Sequence, residues 1–420
     1  MKHISKSQLN VLQNLIISFL SVSALTLFLL LQMDFRPAEL LSALFPAENT
    51  VLNGSSTAES PVPLQNTVRL AVSGDYGRHG SIHLTTGDDV FAGAGNLLQE
   101  ALGSAGVFTA SSEADFRAAL ERTSLYCDWT VPLPLSVSGG LLGATVADAP
   151  ISPRRMVLSA EEDAVTLCLT DDTTFLSCTT KVSADSLHTY IDGCQLPGVT
   201  FAWELDETAT DRYTLLPTGD LPEYPRLTSR PAAQPAGTLL SALGFNPNTN
   251  SRYTESNGTE VIRDGSRTLR VETDGTLVYD SGGSPVPELT VPSGEQTATA
   301  AEAAFCSSRL LSSLLADSEA QLCLQGAEPT DTGWLVTFAY QINGVPIRFG
   351  SGETAALAEI SGTDIVRFSV CLRSYSATET PSLLLPLRQA LAVAALTSPG
   401  ELNISYVDGG STADAAWLTD

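Results

Sequence analysis

The chain has 420 residues, of which 43% are hydrophobic and only 16% charged, so it is not disordered and has material for sizeable cores. Its formal net charge is −25; residues 1–33 hold Lys2 and Lys6 and no acid, which leaves −27 for residues 34–420, where Lys181 is the one lysine. A body this acidic repels phosphate backbones, which excludes nucleic-acid binding as a function class, and the same charge keeps the chain soluble.

Leu15–Met33 carries no charge and few polar groups. As a helix these residues span ~28 Å, about one bilayer core. Basic residues precede the span and Asp34 closes it. The positive-inside rule then predicts a cytoplasmic N-terminus (1–14), a transmembrane helix (15–33) and an extracytoplasmic remainder. A cleaved signal peptide would show a shorter apolar run with a small-residue cleavage site just behind it. Here LFLLLQMDF follows, and SVSA at 21–24 lies inside the run, so an uncleaved anchor is expected. Within it, Ser18, Ser21, Ser23, Ala24 and Thr26 offer small or hydrogen-bonding surfaces for close approach to another membrane helix.

Residues 34–66 turn abruptly to Pro, Ser, Asn and Ala, the composition of a juxtamembrane linker, with a short helix expected near Ala38–Leu44. A first extracytoplasmic domain is expected over 67–230. VRLAV (68–72), LYCDW (125–129) and FAWEL (201–205) read as strands, and AVTLCL with TFLSC as a hairpin. GNLLQEAL (95–102) and SEADFRAALER (112–122) read as helices, the latter with Ser112 and Asp115 near capping-box spacing. Five prolines between Pro217 and Pro235 argue against regular structure and mark a boundary.

A middle domain is expected over 236–290. GTLLSALGF (237–245) predicts a short helix stopped by Gly244. A meander follows, turned by Asn257-Gly258, Asp264-Gly265 and Asp274-Gly275, dipeptides that favour positive φ. The last domain, 291–420, opens with an apolar-periodic stretch around Ala304, Phe305, Leu311, Leu314 and Leu315. Strands AQLCLQG and WLVTFAYQI follow, an Asn343-Gly344 hairpin, a second hairpin at Gly362, a helix PLRQALAVAAL behind Pro386, and the strand ELNISYV. The expected fold class is α+β: one N-terminal transmembrane helix, then two to three extracytoplasmic domains of mainly antiparallel sheet with helices packed on one face.

Chemistry is sparse in this pattern. His79 and His83 form H-x-x-x-H in GRHGSIHL, but two glycines flank His79 and no acid lies between, so a polar loop is favoured over a zinc site. His188 and Cys194 would suit thiol chemistry only in an electropositive setting, whereas Asp185 and Asp192 are the neighbours. The seven cysteines form no C-x-x-C; Cys168 and Cys178 are placed to face each other across a hairpin, though small buried apolar side chains are the preferred reading. No G-x-S-x-G elbow and no S-x-x-K occur. Asn53, Asn257 and Asn403 open N-x-S/T sequons.

Leu243–Pro247, Ser251–Tyr253, Asp274–Leu277, YQINGVPI (340–347), AEISGTDIVRF (358–368), LLPLRQAL (384–391) and LNISYVDGG…AAW (402–417) together resemble the YycH/YycI family, in its longer YycH-like three-domain branch. LYCDWTVPLPLSVSGGLLG, from Leu125, is similar to another segment of those longer members, and Ala416 stands where the family tends to place Pro before the Trp. The resemblance implies a non-enzymatic, membrane-anchored accessory regulator of a two-component sensor histidine kinase in Gram-positive bacteria. It implies pairing with a sister YycI/YycH-like regulator, contact with the kinase through the membrane helix, no cofactor and no catalytic residue. The rival readings are a cell-envelope enzyme or glycan-binding module, and a PepSY-type protease inhibitor.

Overall fold

The computed structural model describes residues 64–419, except 206–207, 233–235, 247, 249, 285, 316–317, 351 and 397–399. The predicted transmembrane helix, most of the linker, and Ser18, Ser21, Ser23, Ala24 and Thr26 lie outside the described residues. No helix among the described residues is long and apolar enough to cross a membrane.

The first sheet is built from β1 (Thr67–Gly74), β2 (Gly77–Thr85), β3 (Thr109–Ala110), β4 (Ser124–Asp128), β5 (Arg155–Glu161), β6 (Ala164–Thr170) and β7 (Phe175–Thr179), in the spatial order β2-β1-β4-β5-β6-β7-β3, antiparallel throughout. Interleaved with these strands are α1 (Asp89–Gly103), α2 (Glu113–Glu121) and α3 (Leu135–Leu141), and α4 (Ala184–Gly193) follows them. Alternation along β1 divides the faces. Val68, Leu70 and Val72 join Phe91 and Leu98 of α1 and Leu187 of α4 in one core. Ala71 faces the other way, with Phe116 and Leu120 of α2. That second face is completed by β8 (Val199–Phe201), a one-turn 3₁₀ helix at Ala202–Leu205, and β9 (Leu215–Pro217).

The second sheet has thirteen strands. It takes in β10 (Pro225–Pro231), the meander β11 (Ser251–Thr254), β12 (Glu260–Asp264), β13 (Arg267–Val271) and β14 (Thr276–Asp280), then β15 (Gln321–Pro329), β16 (Gly333–Ile342), β17 (Val345–Phe349), β18 (Ala356–Ser361), β19 (Asp364–Cys371), β20 (Arg373–Pro381), β21 (Leu402–Asp408) and β22 (Thr412–Thr419). α5 (Ala236–Ala242) precedes the meander, α6 (Ala300–Ser313) precedes β15, and α7 (Leu387–Ala394) lies between β20 and β21. β16 pairs with β15 along one edge and divides its other edge between β18 and β17. One arm runs through β18, β19 and β14 into the meander. The other runs through β17, β21, β22 and β10 to β20. Only Leu372 separates β19 from β20, so hydrogen bonding and chain continuity together close a ring.

The α+β expectation is corrected. Strand exceeds helix, 41% against 22%, and the helices cover both faces of the first sheet. The described residues belong to one compact unit, and a single core takes side chains from both sheets. The sequence understates strand, because β2, β5, β10, β20 and β22 lack the apolar alternation that announces one. The proline-rich stretch nevertheless holds β10, because Pro225 and Pro231 sit at its ends, where a missing N–H is tolerated. FAWEL leaves its strand after Phe201 and winds into the 3₁₀ turn.

The capping-box spacing at Ser112 and Asp115 is realised as a reciprocal box on α2. The structure adds a second box, unread in the sequence, at Thr299 and Glu302 on α6. In the meander turns only Gly258, Gly265 and Gly275 take positive φ, whereas at the β16–β17 turn both Asn343 (50°) and Gly344 (76°) do. Gly344 also rests on the backbone of Leu84, where an added Cβ would come within 2.8 Å of the Leu84 nitrogen.

Candidate functional site

The residues weighed for chemistry do not converge. His79 and His83 lie on β2, not in a loop, so their spacing stretches them along a strand instead of stacking them on a helix. The His79 ring meets the Leu196 carbonyl at 3.1 Å and the Tyr76 carbonyl at 3.3 Å. His188 lies exposed on α4, and Cys194 caps that helix. Six positions on a helix are rotated by ~240°, so the two do not share a face. Burial raises the Cys194 thiol, against opposing contacts from the Leu196 backbone and Tyr190.

All seven thiols are free. Burial pushes Cys168 and Cys323 up to about 11 and raises Cys127, Cys178, Cys306 and Cys371 as well. Cys168 pairs with Ser177 and Cys178 with Leu167, an offset of one residue that sends the two thiols to opposite faces of the sheet. Among the described residues no group of three or more His, Cys, Asp or Glu is placed to hold a metal ion. The Asn403 sequon is buried on β21, and Asn257 lies exposed in the first meander turn.

The densest polar feature was not anticipated. At the seam between the two sheets, Arg69 of β1, Asp128 of β4, Arg154, Arg155 of β5 and Glu401 before β21 form one ion network. Asp128 is fully buried and accepts from Arg154 Nε at 3.0 Å and from the Thr130 N–H at 2.7 Å. Glu401 accepts from both Arg69 and Arg154. Arg155, also fully buried, donates to Asp172 and reaches Asp211 at 2.9 Å, with its guanidinium 5.1 Å from the centre of the Tyr213 ring. Burial alone would raise the Asp128 carboxyl, but Arg154, Arg155 and Arg69 together hold it well below its usual range. Glu401 is also lowered: burial opposes the shift, and Arg69 is the largest favourable influence. Asp172 moves the other way, because burial outweighs its arginines.

A cavity of about 280 Å³ opens beside this network, with Arg69, His83, Thr130, Arg348 and Asn403 in its walls. Both His83 ring nitrogens are out of reach of solvent. Burial, and then the charge of Arg69, push this imidazole down to about 3 against a backbone contact from Gly344, so it is neutral at ordinary pH.

A larger groove, of about 410 Å³, is lined by the 383–385 segment, α7 and the end of β22. None of its walls carries an ionisable side chain. Of its wall residues, Leu383 is 94% exposed, Val393 52% and Leu385 44%, so bare aliphatics cluster in one groove. Behind it lies a small separate core of Ala209, Ala390, Ala394 and Leu402. Trp417 is held by a 2.8 Å bond from its Nε1 to the Leu385 carbonyl. The one sequence signal for this groove was the nearly uncharged run around 383–396, which reads equally well as an ordinary buried helix.

Comparison with protein-family models, curated proteins and solved structures finds no match to this chain.

Proposed function

We propose that this chain is a membrane-anchored, extracytoplasmic regulator of a two-component sensor histidine kinase that controls cell-wall metabolism, working beside a sister regulator of YycI/YycH type. The observation that carries the reading is the placement of the segments bearing the family resemblance. Residues 251–253, 340–347, 358–368 and 402–417 fall within one sheet, and one end of its strand β22 lines a groove without ionisable walls. The sequence adds the apolar span 15–33, which supplies a route to a membrane partner. The body docks outside, and the helix alters the kinase through packing within the bilayer. A coupling of ~1–3 kcal/mol between the bound and unbound kinase changes signalling several-fold.

The test is a kinase-dependent reporter in cells lacking the chain. Residues 1–35 alone restore part of the effect, and a scrambled 15–33 segment restores none. Full activity from a soluble 67–420 fragment would overturn the proposal.

A further inference from the structure

β22 is an incompletely covered strand. One edge pairs with β21 from Asp408↔Ala413 as far as Leu402↔Thr419. On the other edge β10 pairs only with Thr412 and Ala413. Beyond Ala413, among the described residues, no strand pairs on that side. The Ala415 N–H points that way and donates to Ser382 Oγ at 3.0 Å. Backbone groups in an antiparallel strand alternate in direction, so the Trp417 N–H and C=O and the Thr419 N–H face outward too. This open edge borders the groove, whose walls include Leu385, Val393 and Trp417.

We propose that the groove takes an extended peptide segment of a partner protein, added as a strand to the Trp417–Thr419 edge of β22, beyond the Ala415 N–H that Ser382 already satisfies. Two features select this occupant over a helix or a small molecule. The outward backbone groups are satisfied in series only by another extended backbone, and side chains at alternate positions of that backbone then meet the groove. The seated side chains are apolar, because a charge brought there would lose water and find no ionisable partner in the walls. Basic residues flank them, because the body as a whole carries −27 over residues 34–420 and steers cations toward itself. The inference rests on the reading of this body as a docking regulator and names the chemistry of what it docks.

The test uses the full chain in lipid nanodiscs and a fluorescein-labelled peptide of alternating valine and threonine with lysine at both ends. Fluorescence polarisation rises saturably, and empty nanodiscs give no rise. Val393→Asp, at a half-exposed position, weakens binding at least about tenfold while the thermal melt stays in place. Two further peptides carry N-methyl groups on alternate amides, one on each of the two alternating sets. Only one set binds, because an added strand uses every second amide toward its neighbour. Equal binding by both sets, equal loss by both, or no saturable rise overturns the proposal. So does a chain dimer that Val393→Asp dissociates and no peptide enters, since the occupant is then a second copy. Peptide capture without any reporter effect strikes only the regulator reading, and a reporter effect without peptide capture strikes only the groove.

Discussion

The seam and the groove are opposite solutions within one compact unit. At the seam, three arginines and two carboxylates leave water almost entirely and pair across elements as far apart as β1 and the start of β21, with Asp172 and Asp211 taking the hydrogen bonds of Arg155. At the groove, three alanines and one leucine make the core, and Leu383 and Leu385 stay bare. Buried ions are stable only as a complete set, so the seam tolerates little movement between the sheets. A small core with exposed aliphatics opens at low free energy and accepts new surface. The contrast separates a frame that holds its shape from an end left to be completed by something else.

The comparison breaks first at Glu401. Glu401→Ala leaves Arg69 and Arg154 buried without their shared carboxylate, and the expected loss is ~3–5 kcal/mol in chemical denaturation. A loss below ~1 kcal/mol would show that the seam is not a lock. The same network gives stability a pH dependence. Asp128 and Glu401 have folded pKa values below their unfolded ones, so their contribution is complete above about pH 4 and is lost as pH falls through the lower folded values. Asp172 is raised, so its protonation on acidification favours the folded state and offsets part of that loss. Denaturation between pH 7 and pH 3 is therefore expected to show a fall in stability below about pH 4, shallower in Glu401→Gln than in the parent chain.

A smaller effect belongs to the second contact between the sheets. Gly344→Ala puts a methyl within 2.8 Å of Leu84 backbone at a φ of +76°, and neither side of that contact is a flexible side-chain tip. The expected loss is ~1–3 kcal/mol, with the meander hairpins intact by amide exchange. A neutral outcome would mean that the two sheets slide apart freely there, and the rigid half of the comparison would weaken.

These two regions were unequally legible in the sequence. The Asn343-Gly344 turn and the Ser112–Asp115 capping box are legible in the sequence because their causes lie within a few residues. Arg69, Asp128, Arg154, Arg155 and Glu401 come from separate elements, and no local pattern joins them. The only trace is an adjacent pair of arginines in a body where cations are scarce. β22 was missed because TADAAWLT is short and alanine-rich, and its strand character comes from pairing with β21. The sequence of β2 suggests a loop because glycine and histidine interrupt its alternation, yet Gly80 allows its backbone to approach Leu70, with an added Cβ only 2.3 Å from the Leu70 carbonyl oxygen.

The least disruptive change sharpens the comparison most. Val393 is half exposed on α7, and Leu385 is 44% exposed across the groove. Neither belongs to the buried cores, so Val393→Asp and Leu385→Ser are expected to move stability by less than ~0.5 kcal/mol. Thermal melts of each variant beside the parent chain check this. If either change costs as much as Gly344→Ala, the bare aliphatics are structural, and the groove belongs with the seam as part of the frame. If both are silent in the melt, those side chains contribute nothing measurable to the stability of the free chain, and the groove stands apart from the frame as a surface that another molecule can cover.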